Sequence, residues 1–174
     1  EVVATVNALD ADMIALTGDL VDASVAELRE HTAPLAQLKA KHGAFFITGN
    51  HEYYSGALEW LDEVRRLGFR TLVNEHVVVD AGGEKVVVAG VTDISAGSIV
   101  KEHATDPTKS IAGAPDDAGL KIMLAHQPRS AFDAAKLGFQ LQLSGHTHGG
   151  QYFPATVLVG LFQPFVAGLN KHAG

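Results

Sequence analysis

A chain of 174 residues, 47% of them hydrophobic and 19% charged, has length for one domain with a sizeable core and lies far from disordered compositions. Its formal net charge of -7 argues against a surface built to grip a phosphate backbone, so nucleic acid is not an expected partner. The absence of cysteine excludes disulfides and thiolate ligands, leaving oxygen and imidazole nitrogen to hold any metal. No signal-peptide pattern opens the chain at Glu1-Val2-Val3-Ala4, and no stretch reaches the roughly 18 consecutive apolar residues of a spanning helix.

In chain order, Val2 to Leu9 carries apolar residues at helical spacing, and Met13 to Thr17 reads as a buried strand. Ser24, with Glu27 three residues on, predicts a capped helix whose face is Val25, Leu28, Leu35 and Leu38, with Pro34 forcing a kink. Ala44 to Thr48 is a second buried strand. Gly56 to Leu67 predicts a helix with Leu58, Leu61, Val64 and Leu67 at spacing three, stopped by Gly68. Val77-Val78-Val79 and Val86-Val87-Val88 flank Asp80 to Glu84 as a hairpin.

Residues 92–117, rich in Gly, Ser, Asp, Thr and Pro, predict a long loop with one helical turn at most. Leu120 to Ala125 is a strand, Pro128 to Leu137 a helix, and Phe139 to Leu143 a strand with one buried face. Alternating strands and helices, with a hairpin among them, predict α/β layers around a mixed sheet.

The polar residues fall at the ends of these strands. Gly18-Asp19, Gly49-Asn50-His51-Glu52, His126 and Gly145-His146-Thr147-His148 each follow one directly. Sites of open α/β sheets form outside the carboxyl ends of strands, so the four groups are expected on one rim. A carboxylate, an amide oxygen and several imidazoles suit a divalent ion such as Mn, Fe, Zn or Ni. Taken singly, each fragment has a plain structural reading: Gly-Asp a turn, Gly-Asn-His-Glu a turn into a capped helix, His126 a satisfied buried histidine. Their order and common placement carry the metal reading.

Together these blocks resemble the successive signatures of the calcineurin-like metallophosphoesterases, along nearly the whole chain. The runs at 49–54 and 145–151 are most similar to the bacterial branch with membrane-associated and UDP-diacylglucosamine pyrophosphatase-like phosphohydrolases. The resemblance implies a four-layer α-β-β-α sandwich with mixed sheets and two divalent ions. It implies that Asp19 bridges them, that Asn50, His126 and His146 complete one shell, and that His148 belongs to the other. His51 is then no ligand but steadies phosphoryl oxygens or protonates the leaving group, while a metal-bridging hydroxide attacks phosphorus in line. The implied substrate is a phosphorylated small molecule or a lipid-linked phosphoester or pyrophosphate. The implied place is a bacterial cytoplasm or the cytoplasmic face of the membrane.

The family's first block, an Asp-x-His, has no match in the chain. On that ground residues 1–174 are expected to be a single domain without its first strand and closing strands, with Asp19 and His148 alone at one metal. The alternatives are a metal-binding but catalytically impaired homologue and, against the acidic balance, a nuclease. Residues 152–169 carry many apolar residues between Pro154 and Pro164, and are expected as core strand and loop. The sharper expectation for 153–169 is a peripheral membrane contact beside the metal site. His31, His42, His76, His103 and His172 are expected at the surface, as is Arg129, and Trp60 in the core.

Overall fold

The β-branched and aromatic runs sort into two sheets. In the computed structural model, which describes residues 1–150 and 155–172, β1 (Ile14–Leu16), β2 (Ala44–Phe46) and β3 (Arg70–Thr71) lie parallel in that order. The second sheet runs β4 (Glu75–Ala81), β5 (Glu84–Gly90), β6 (Leu120–Leu124) and β7 (Leu141–Leu143). Its first pair is the predicted antiparallel hairpin, with a tighter turn than the valine runs suggest because pairing continues to Ala81 and Glu84. β5, β6 and β7 run parallel.

Side chains alternate across each strand, and that period of two builds the layers. Phe46 faces outward with Ile14 into a cluster with Val25 of α2 (Val25–Thr32) and Trp60, Leu61 and Val64 of α4 (Ala57–Arg66). Phe45 and Ile47 face inward and meet Val77, Val88, Ile122 and Leu124 of the second sheet. On the far side Met123 and Ala125 pack with Ala134 of α6 (Ala131–Lys136). The expected α-β-β-α sandwich is therefore present, its first sheet all parallel and its second mixed. The sheets approach closely at Gly90, where a Cβ would overlap Leu72 and come within 2.6 Å of Ile47 Cγ2.

Local signals hold where contacts are local. Glu27 accepts from the Ser24 amide at 3.1 Å and hydroxyl at 2.6 Å, opening α2 as expected. Pro34 ends that helix, and Ala33–Gln37 continue as a 3-10 turn. Trp60 is fully buried and donates its indole N–H to the Ala23 carbonyl at 2.9 Å.

Three expectations change. The 92–117 loop holds 3-10 turns at Ala96–Ser98 and Lys101–His103 and a short helix α5 (Pro107–Ile111). Buried Asn74, at φ 54°, organises it by donating to the Ala104 carbonyl at 2.8 Å and accepting the Asp106 amide at 3.0 Å. Second, Ala155–Phe162 is a helix, α7, and not the expected core strand; Leu161 and Phe162 are each 75% exposed. A short apolar run fits strand and helix alike, which is why the pattern misled. The part of that expectation on 152–154 lies outside the described residues. Third, His42, His76 and His103 are half-buried, not surface groups, and the Nδ1 atoms of the last two lie 2.9 Å from the Ser110 carbonyl and 3.0 Å from the Tyr53 hydroxyl.

Candidate metal centre

β1 and β2 run parallel in one sheet and β6 and β7 in the other, so their carboxyl ends share a rim. From it the chain presents Asp19, Asn50 at the start of α3 (Asn50–Tyr54), His126 and His146. Donor atoms of Asp19, His126 and His146 all lie within 4.8 Å of one another. His126 Nε2 stands 2.9 Å from Asp19 Oδ2, and His146 Nδ1 is 3.2 Å from His126 Nε2 and 3.1 Å from Asn50 Oδ1. The four residues expected in one shell are thus together.

The backbone is bent to achieve this. Asp19 and His146 occupy the left-handed region at φ 55° and 68°, which ordinary residues adopt at a cost of about 1–3 kcal/mol. A Cβ on Gly18 would overlap the Gly49 amide, and one on Gly49 would overlap the Asp19 carboxylate. Only glycines let the two loops press together.

Hydrogen bonding fixes the chemistry of the donors. His126, with a fully buried side chain, can only donate from Nδ1 to the Thr17 carbonyl at 2.7 Å. Its Nε2 lone pair then faces the Asp19 carboxylate and His146 Nδ1, so acceptors confront acceptors unless a proton or a cation stands among them. This convergence fits a divalent ion held by oxygen and imidazole. In the metal-free protein burial pulls the His126 pKa down, but the bonds to Asp19 and Thr17 outweigh it and raise it overall. Burial, and next the neighbouring His126, lower His146. Asp19 is lowered: its own burial opposes this, but His126 and the His51 amide prevail.

His51 stands beside this group. Its amide donates to Asp19 Oδ1 at 3.0 Å, while its ring Nδ1 pairs with Asp22 Oδ1 and leaves Nε2 as the nitrogen available to a substrate. His148 lines the same cleft of about 1150 Å³ as Asp19 and His146 but is outside the converging set. Arg129 is exposed, as expected.

Two residues the sequence did not single out belong here. Asp22 has no local signal beyond standing three residues after Asp19. Glu52 sits in the quoted Gly-Asn-His-Glu run, but its contacts to Asp19 and Leu20 lie more than thirty residues back along the chain.

The family profile described as calcineurin-like phosphoesterase matches residues 1–150. The chain is 37% identical, over 98% of its length, to a "Transmembrane protein with metallophosphoesterase domain" of Danio rerio, and 41% identical over 97% to its Bos taurus namesake. It covers 40% of each of these relatives. An "Uncharacterized metallophosphoesterase" of Helicobacter pylori is 38% identical over 99% of this chain and 45% of its own. Among solved structures, a sulfate thiohydrolase SoxB from Termus thermophilus superposes with TM-score 0.56 at 14% identity, over 83% of this chain and 32% of its own, a likeness of fold alone.

Proposed function

The chain belongs to the calcineurin-like phosphoesterase family, and from that premise we propose that it hydrolyses phosphoester or phosphoanhydride bonds with divalent metal held by Asp19, Asn50, His126 and His146. The confrontation of His126 Nε2, Asp19 Oδ2 and His146 Nδ1 carries this reading, because a cation resolves it. Since the chain spans about 40% of the Danio rerio and Bos taurus relatives, the reading concerns these residues and not the whole of those proteins.

A bound divalent ion supplies Lewis-acid charge and lowers the pKa of a coordinated water. The chain's own groups do the rest. Asp19 reaches toward the cluster with Oδ2 and is fixed at Oδ1 by the His51 amide, so it would be the anionic ligand of the bound metal. His148, on the same cleft wall, is assigned to the second ion. His51, oriented by Asp22, holds a proton for the leaving oxygen or steadies the phosphoryl group.

A second reading, a metal-binding but catalytically impaired homologue, is favoured by one observation: the converging donors account for a single shell, with His148 outside. Chelation followed by Mn2+ add-back separates the two. Two ions per chain with restored hydrolysis of a generic aryl phosphodiester supports the two-metal enzyme, and one ion without turnover supports the impaired homologue. Hydrolysis indifferent to chelation overturns both.

The substrate is proposed to be a phosphorylated small molecule or a lipid-linked phosphate, met at the cytoplasmic face of a membrane. Exposed Leu161 and Phe162 at the end of α7 support that place. Among the described residues no helix is long and apolar enough to cross a membrane. Leu161→Ser with Phe162→Ser should reduce liposome binding and lipid-substrate turnover several-fold while soluble aryl phosphodiester is hydrolysed as before. Unchanged liposome binding removes the membrane contact.

A further inference from the structure

We infer that Glu52 is the positioning residue of the metal centre, its carboxylate tying the loop after β1 to the loop after β2 and so fixing where Asp19 and Asn50 stand. The inference rests on the metal reading above.

Glu52 is 0% exposed and accepts three backbone amides. Oε1 takes the Leu20 amide at 2.7 Å, while Oε2 takes those of Asp19 at 3.0 Å and Gly49 at 2.6 Å. Only the bond to Gly49 is local, the ordinary return of a glutamate in the first helical turn to its own cap. The bonds to Leu20 and Asp19 span 32 and 33 residues and cross from one strand end to another. Local capping does not require them.

The arrangement is reciprocal. Glu52 in α3 takes the amide of Asp19, and Asp19 takes the amide of His51 in α3. Two loops linked in both directions, with no room for a side chain on Gly18 or Gly49 between them, leave Asp19 little freedom of its own. A carboxylate can do this and an amide cannot. With Oε1 replaced by NH2 a donor would face the Leu20 amide, and with Oε2 replaced one would face the amides of Asp19 and Gly49, so in either orientation at least one backbone amide loses its acceptor. Among the described residues no cationic side chain is paired with this carboxylate, an unfavourable burial that the three amides offset in part. That placement is understandable if its task is to preorganise ligands.

The test uses the full-length protein without metal. Amides of Gly49, Asp19 and Leu20 should exchange with deuterium as slowly as those of β6, although they lie outside the strands. Fast exchange at these three overturns the proposal. In Glu52→Gln, Mn2+ affinity should fall about 10–100-fold, the effect of losing an outer partner of a metal ligand. Exchange at Leu20, or at Asp19 and Gly49 together, should quicken while β6 amides keep their protection. Unchanged affinity, or protection lost evenly across the fold, also overturns it. If Glu52→Gln does not fold, exchange in the unaltered protein still decides. Failure of the unaltered protein to bind Mn2+ would defeat the metal reading instead, with the exchange pattern judging the tie separately.

Discussion

His126→Ala should abolish Mn2+ binding as read by calorimetry, with affinity down more than about 100-fold, beyond what losing an outer partner alone does. Hydrolysis should vanish with it. His126 contributes the nitrogen at the centre of the cluster, 2.9 Å from Asp19 and 3.2 Å from His146. The substitution also strands the Thr17 carbonyl, so stability in a denaturant melt should fall by about 1–3 kcal/mol. Acidity adds a second signature. The His126 pKa lies above its ordinary 6.5 in the metal-free fold, so this group contributes stability that is complete below pH 6.5 and lost as pH rises through the lifted value. Metal needs the same lone pair. Uptake should therefore release a proton and tighten with rising pH. A variant that binds Mn2+ normally would remove His126 from the site.

His51→Gln should act differently, lowering kcat about 10²–10⁴-fold, the range of a lost general acid, while leaving metal content unchanged. His51 meets Asp19 through its backbone amide, while its ring Nδ1 is engaged with Asp22. Asp22→Asn should give a smaller fall, since it frees the ring without removing it. Single-turnover kinetics alongside metal analysis would separate these outcomes. If metal affinity drops in step with kcat, His51 belongs to the shell and its assigned role fails.

Much of this was legible in the chain because the governing contacts were short in range. Strand, turn and donor follow one another within a few residues at Thr17-Gly18-Asp19, Gly49-Asn50 and Gly145-His146, so pattern and placement coincide. The α/β layers followed from strands and helices alternating with a hairpin among them, while the opposite facing of Phe45 and Phe46 is seen in the structure. What escaped was decided at a distance. The 92–117 loop takes its shape from Asn74, and Glu52 gains its role from two amides near β1. The run at 155–162 escaped for the opposite reason: it is apolar almost throughout, and without polar interruption no period distinguishes helix from strand.

The close approach of the two sheets at Gly90 reaches as far as the chemistry. Two of the gathered ligands, Asp19 and Asn50, ride on one sheet, and His126 and His146 ride on the other. The bite of the site is therefore a calliper reading of the oily layer that Ile47, Leu72 and Val88 fill between them. Thickening that layer by one methyl group would move the two pairs of donor groups apart, so a substitution remote from all four would be felt at the rim. The interior of this fold is, in that sense, the gauge that spaces them.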